Sequence, residues 1–384
     1  MFENFIGSER EFSWAYQFWP VIFLAFICSL AATAVCRIFA LKFSIVDKPD
    51  NTVKTHKKPT AYLGGVGMFI GFTAGILAGI FLIGGQQFLT EALKWLLGVL
   101  AGAAIACFVG VLDDIFNLSP GRKVLGQVVA SFTLLVAGIM PALDYFFENS
   151  GFYVPTSIEW GLGALVVIAF VLGASNSLNL LDGLDGLCGG VTAVITIGLL
   201  VLSLILSTWK SEPAADPVRI IICLALLGGV CGFLPFNWNP AKIFMGDAGS
   251  MMIGFVLAAL MILFAEKSPR WWIASVFILG LPILDTATAL ARRILNKRPL
   301  FISDRGHIYD QLVDRGFSIK ETVLICYILA AVYAAIGITV SQMKAGYAAA
   351  VYAAVVVISA VVIWKMGFLK MEGLHGAIRG NHKS

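Results

Sequence analysis

The sequence predicts an all-α, polytopic integral membrane protein of about 11 transmembrane helices. Three observations predict it. The 384 residues are 59% hydrophobic and only 13% charged, against about 25% charged in a typical soluble chain, and mean hydropathy is +0.88. Apolar stretches approaching the roughly 20 residues that a spanning helix needs recur from one end of the chain to the other. Lys and Arg crowd alternate connections between those stretches, as the positive-inside rule expects.

Taken in order, the expected spans are about 18–41, 61–83, 94–112, 124–143, 161–178, 189–208, 219–235, 250–265, 271–290, 322–340 and 347–364. The first follows Glu3, Glu9, Arg10 and Glu11. It lacks the basic n-region and small-residue cleavage site of a removable signal peptide, so it is kept as a span. The second opens on Gly64-Gly65, the third ends at Asp113-Asp114, and the fourth begins after Arg122-Lys123. The fifth runs into Asn179, the eighth follows Gly246-Asp247, and the ninth carries Asp285 at its end. The longest polar insertion is about 291–321, and no repeat, low-complexity tract or soluble appendage interrupts the pattern, so residues 1–384 read as one integral domain with a basic tail over 365–384.

Eleven spans put the two ends of the chain on opposite sides. With Arg37 inside a span, 19 of the remaining Lys and Arg fall in the odd-numbered connections and the C-terminus, and 7 on the other side with the N-terminus. The odd-numbered connections are therefore expected in the cytoplasm and the N-terminus outside. Seven Cys lie in or beside apolar spans without paired metal spacing and read as small apolar residues. The middles of the spans lack Asp, Glu, Lys, Arg and His, which argues against a secondary transporter, whose ionisable groups sit near the bilayer midplane.

The cytoplasmic connections carry the chemistry. The first holds Val46-Asp-Lys-Pro-Asp and Lys54-Thr-His-Lys-Lys-Pro; the second, Gly110-Val-Leu-Asp-Asp-Ile-Phe-Asn with Lys123 nine residues after Asp114. The third is Asn176-Ser-Leu-Asn-Leu-Leu-Asp-Gly-Leu-Asp-Gly-Leu187, which spaces Asn179, Asp182 and Asp185 three apart. If the preceding helix continues, these three lie roughly on one face; taken alone, the stretch also reads as a pair of Asp-Gly turns. The fourth is Phe236-Asn-Trp-Asn-Pro-Ala-Lys-Ile-Phe-Met-Gly-Asp-Ala-Gly-Ser250, and the fifth contains Ser303-Asp-Arg-Gly-His-Ile-Tyr-Asp310. Carboxylates and an amide oxygen are the hard ligands Mg2+ prefers. Lys, Arg and His neutralise phosphates that the acids alone would repel. Both signs on one face suit phosphoryl transfer, where positioning and charge neutralisation supply most of the catalysis.

At these residues the chain resembles the polyprenyl-phosphate N-acetylhexosamine-1-phosphate transferases, over about residues 46–320. The resemblance implies a bacterial inner-membrane enzyme with a cytoplasmic active-site cleft, which joins a UDP-activated amino sugar phosphate to a polyprenyl phosphate and releases UMP. It places Asp113 and Asp114 at the paired catalytic aspartates, Asn179 and Asp247 at the metal, and Lys123 at the diphosphate. Asp185 and Phe244 match positions that hold uracil by hydrogen bonding and stacking, and Arg305 and His307 a basic loop at the substrate phosphates. Asp182 and Lys54 join the substrate-binding set, with lipid headgroups as the other reading for Lys54 and His56. The implied cofactor is Mg2+, with Mn2+ as a substitute. The implied partners are the UDP-sugar, the polyprenyl phosphate and membrane lipids, with a homodimer as the oligomer to test and no nucleic acid.

Two departures stand out: the usual His-Ile-His-His is His307-Ile-Tyr-Asp310 here, and the usual Pro-Arg before the glycine pair is Ala61-Tyr62. The run of three histidines that resemblance associates with UDP-MurNAc-pentapeptide as donor is absent. UDP-GlcNAc is therefore the expected donor, with UDP-MurNAc-pentapeptide as the alternative.

Overall fold

The computed structural model describes residues 14–47, 59–84, 89–143, 154–208, 215–298 and 306–369. After a 3-10 turn at Trp14–Phe18 come α1 (Trp19–Lys42), α2 (Gly64–Leu82), α3 (Leu89–Phe116), α4 (Pro120–Ala137), α5 (Thr156–Leu181), α6 (Leu187–Ser207) and α7 (Ala215–Asn237). Then follow α8 (Gly246–Ala265), α9 (Pro269–Ile278), α10 (Gly280–Leu295), α11 (Ile308–Asp314), α12 (Ile319–Ser341) and α13 (Ala345–Lys365). The one described sheet pairs β1 (Val46–Asp47) with β2 (Thr60–Ala61) antiparallel.

Nine of the described helices are long and apolar enough to cross a membrane, and α9 with α10, bent by 72°, makes a tenth span if the pair counts as one. The expected eleven differ from this at 124–143. There the chain forms α4, an 18-residue helix opening on Pro120-Gly-Arg-Lys and carrying Gln127, Ser131 and Thr133, too polar to stand with the other nine. The ninth expected span is one apolar run in sequence but two helices in space. Pro282 has no N–H to give the carbonyl of Ile278, so the ladder fails where α9 stops.

α8 forms the centre. It is apolar around its whole circumference, and every residue from Ala248 to Ala265 is buried, as such a helix must be when other helices surround it. It packs against α2, α3, α4, α5, α7 and α9. The α1–α2–α7 layer closes on small residues: a Cβ added at Gly67, Gly71 or Gly75 would collide with Thr33, Ser29 or Ala225. Ser29 donates to the Gly229 carbonyl at 2.6 Å across that interface. Close backbone approach and interhelical hydrogen bonds are what hold helices together where lipid removes the hydrophobic drive.

Candidate active site

Four helix ends meet at one end of the bundle. α3 runs past the expected boundary to Phe116, so Asp113 and Asp114 lie in its last turn, where the negative end of the helix dipole disfavours them. The N-terminus of α8 offsets that cost. Asp114 accepts hydrogen bonds from the backbone N–H of Asp247 at 2.9 Å and of Ala248 at 3.2 Å, capping the positive end of α8 from another helix. Gly246 makes the approach possible: its φ is +68°, and a Cβ there would fall 2.4 Å from the Asp114 carboxylate.

Asp113 is buried, and its Oδ1 accepts from the Leu118 N–H at 2.8 Å, tying the α3 end to the start of α4. Pro120 occupies the first turn of α4, where a missing N–H costs nothing. Three residues on, the Lys123 ammonium bridges two carboxylates, 2.5 Å from Asp113 Oδ2 and 2.6 Å from Asp247 Oδ2. The Asn179 amide nitrogen donates to Asp247 Oδ1 at 2.7 Å and lies 3.1 Å from Ser250 Oγ. Burial pulls the Lys123 pKa down, but its bonds to Asp113 and Asp247 more than offset this and hold it above the ordinary value.

The helix persists through Asn179 but not to Asp185: α5 ends at Leu181, Asp182 is its C-cap, and Asp185 lies in the following turn. Helical continuation therefore holds for Asn179 alone, and Asp182-Gly183 and Asp185-Gly186 fall in turns, the other reading of this stretch. The Asp182 carboxyl, on a half-buried residue, is pushed up to about 8, by burial first and then by the charges of Asp247, Asp114 and Asp185. Asp185 Oδ2 accepts from Asn239 Nδ2 and the Ala241 N–H, both at 2.9 Å, so it braces the fourth connection. Beside it is a cavity of about 210 Å3 lined by Asp185, Trp238, Asn239, Lys320, Leu324 and Tyr327 among others. Phe244 is not among its lining residues. Phe244 instead joins the fourth connection to the first: its N–H donates to Ala61 at 2.8 Å, its carbonyl accepts from Gly64 at 2.9 Å, and its ring lies 6.2 Å from that of Tyr62.

Tyr62 marks a site residue that the sequence showed only as a departure. Its hydroxyl bonds to Asp47, and burial, then Asp47 and Asp114, push its pKa well up, which puts the phenol beside the acidic cluster. His307 is buried, and its Nδ1 is 2.7 Å from Asp285 Oδ2. Asp285, at the end of the ninth expected span, pairs with this histidine. Tyr309 bridges the fifth connection to the third by donating to the Leu180 carbonyl at 3.0 Å. The sequence signal for this contact was Gly183, where a Cβ would fall 2.2 Å from the Tyr309 hydroxyl. Lys54 and Arg305 lie outside the described residues.

Among the described residues no group of three His, Cys, Asp and Glu is arranged to hold a metal ion. What converges is two carboxylates, Asp113 and Asp247, and one amide, Asn179, around a lysine ammonium. That donor set fits a hard cation that takes one or two carboxylates from protein and the rest from phosphate and water. The ammonium between the carboxylates shows that the position already accommodates positive charge.

Residues 96–265, which include this cluster, match glycosyl transferase family 4. The chain is 33% identical over 327 residues to a Bacillus subtilis (strain 168) protein named "Probable undecaprenyl-phosphate N-acetylglucosaminyl 1-phosphate transferase", covering 81% of this chain and 83% of that one. It is 30% identical over 322 residues to a decaprenyl-phosphate N-acetylglucosaminephosphotransferase of Mycobacterium tuberculosis (strain CDC 1551 / Oshkosh), covering 79% and 78%. To the undecaprenyl-phosphate alpha-N-acetylglucosaminyl 1-phosphate transferase of Escherichia coli (strain K12) it is 27% identical over 314 residues, covering 79% and 78%. With the acidic cluster, the bridging lysine and the helical membrane bundle all in place, the chain belongs to the polyprenyl-phosphate N-acetylhexosamine-1-phosphate transferases of glycosyl transferase family 4.

Proposed function

We propose that this protein transfers N-acetylglucosamine 1-phosphate from UDP-GlcNAc to a polyprenyl phosphate, undecaprenyl phosphate in bacteria, on the cytoplasmic face of the inner membrane. The observation that carries the reading is the Asp113–Lys123–Asp247–Asn179 cluster, built from the ends of four different helices at one end of an apolar bundle. A lipid phosphate can reach such a place from the bilayer and a sugar nucleotide from water. An oxygen of the lipid phosphate attacks the β-phosphorus of the donor, the bond between the β-phosphorus and the bridging oxygen breaks, and UMP leaves carrying that oxygen on its α-phosphorus. The product is a polyprenyl diphosphate-linked sugar.

Asp247 and Asn179 would hold Mg2+, which supplies charge neutralisation at the diphosphate when bound. Lys123 is placed to pass from the carboxylates to a phosphate oxygen, because one ammonium can serve either partner at hydrogen-bond distance. Asp114 fixes the α8 N-terminus and so keeps Asp247 in place. Asp113 is the carboxylate placed to orient or deprotonate the lipid phosphate. His307 contributes to the phosphate site and Asp185 to the nucleoside. A pocket that hydrogen-bonds the acetamido group rejects a donor lacking it strongly, so UDP-glucose should be poor.

The test is transfer by the purified protein with Mg2+ and polyprenyl phosphate from radiolabelled UDP-GlcNAc, UDP-glucose and UDP-MurNAc-pentapeptide. UDP-GlcNAc should be fastest. Faster transfer from UDP-MurNAc-pentapeptide would replace the donor and leave the phosphotransferase reading standing. For orientation, a reporter that needs the cytoplasm should work when fused after Ser384, and one fused before Met1 should behave as external.

A further inference from the structure

Asp285 lies in α10, the second half of the broken span, and is 1% exposed. A carboxylate so placed is costly unless its oxygens are partnered. Both partners come from one short segment of the fifth connection: His307 Nδ1 meets Oδ2 at 2.7 Å, and the Ile308 N–H donates to Oδ1 at 2.6 Å. Two turns further along α10, Arg292 donates to the Gly306 carbonyl. Three successive residues, 306 to 308, are therefore fastened to one helix. On its other flank the segment is fixed by Tyr309, which reaches the Leu180 carbonyl at 3.0 Å and packs on Gly183. The His307 and Tyr309 rings are stacked, 5.5 Å apart and 7° from parallel. The imidazole thus stands between the broken span and the end of α5, with the turn that follows it, where Asn179, Asp182 and Asp185 lie.

An ionised carboxylate only accepts hydrogen bonds, so the proton at this contact is on Nδ1, and the bond fixes both the ring plane and the role left to Nε2. A peptide anchor alone would need only the Ile308 and Gly306 contacts. We propose that Asp285 is a positioning residue of the transfer reaction: acting through His307, it sets the orientation and proton placement with which the imidazole meets the substrate phosphates. The bend between α9 and α10 is what brings that carboxylate under the loop. The proposal rests on the reading above that His307 contacts substrate phosphate.

Three variants test it in the full-length protein in bilayers, each read as kcat and KM for UDP-GlcNAc together with thermal midpoint. Asp285→Asn can still accept from Ile308, but it offers an N–H to Nδ1 and so forces the proton to Nε2. His307→Asn keeps a donor near the Nδ1 position and loses the distal nitrogen. His307→Gln keeps a nitrogen near Nε2 and loses the anchor. Orienting partners of functional histidines are typically worth about 10–100-fold. Each variant should therefore lose on the order of 10–100-fold in kcat/KM with a thermal midpoint close to that of the parent, and Asp285→Asn should add no further loss in the His307→Asn background. Parental kinetics in Asp285→Asn, or losses that multiply in the double variant, would overturn the role of Asp285. Should Asp285→Asn not fold, parental kinetics in His307→Gln would do the same. Parental kinetics in His307→Asn would instead remove the phosphate contact of His307 on which the proposal rests, and absence of transfer from UDP-GlcNAc in the parent would remove the donor reading.

Discussion

α8 and α13 are nearly the same helix on paper: 20 and 21 residues, apolar throughout, each long and greasy enough to span a bilayer. In space they are opposites. α8 is buried from Ala248 to Ala265, whereas Ile363 is the one buried side chain among those described in α13. Apolar composition marks a helix as lipid-compatible but does not say whether lipid or protein covers it, because both are apolar surroundings. The functional consequence lies at the helix end. A rod held on all sides offers a fixed N-terminus, and there the chain places Asp247, with Asp114, Lys123 and Asn179 from three other helices bonded to it or its backbone. A peripheral helix could carry the same residues without holding them to within an ångström.

The strongest way to break this contrast is at that end. Asp247→Ala should lower kcat/KM by on the order of 10^3-fold or more, about 4 kcal/mol of transition-state stabilisation, while the variant still inserts and folds. Near-parental turnover, unchanged by EDTA, would show that α8 is a scaffold whose end has no chemical role. Lys123→Met should cost less, roughly 10^2-fold and chiefly through a raised KM for UDP-GlcNAc, as expected for loss of a charge-assisted phosphate contact. A fall confined to kcat would place the lysine elsewhere in the reaction.

The contrast itself is sharpened by a matched pair of insertions. Ala258→Leu in α8, at a position with no exposure, should destabilise by about 1–3 kcal/mol through overpacking. Ala354→Leu in α13, at an exposed position, should stay within about 0.5 kcal/mol. Equal effects in denaturant titrations would mean that α13 is covered by protein after all.

The remaining expected effect is a pH dependence. Burial, then the charges of Asp247, Asp114 and Asp185, raise the Asp182 carboxyl to about 8 in the fold, against about 4 when unfolded. A raised acid opposes folding only once ionised, so the penalty is absent below about pH 4, grows as pH rises and levels off above about 8. The thermal midpoint of metal-free protein should therefore drift down between those values, and Asp182→Asn should flatten the drift. A midpoint that rises over the same window would put the Asp182 carboxylate next to positive charge.

Much of this was legible in sequence because it depends on local pattern. The apolar runs gave the helices, and Asp113-Asp114, Asn179 and Asp247 stood out because charged or amide groups at the ends of such runs need a partner or a ligand. The break in 271–290 was less legible. Pro282 is visible, but proline is tolerated in membrane helices when neighbours satisfy the freed carbonyl, so its presence did not dictate a 72° bend. The span count suffered similarly at 124–143, where apolar residues fall on a helix that opens with charge and carries polar groups along it.

The sequence by itself determined composition, helix content and the residue types at each helix end, since these follow from what lipid will solvate and what a backbone turn requires. Tertiary structure decided partnership. It gave Asp285 to His307, turned Asp114 to the α8 backbone, drew Phe244 towards Tyr62 and left Trp238 beside Asp185. The first two of these depend on distances of about 3 Å between residues 22 and 133 positions apart. Pairings at such separations are set by how helices pack, and the same apolar helices could be packed in many ways with little change in what the sequence alone displays.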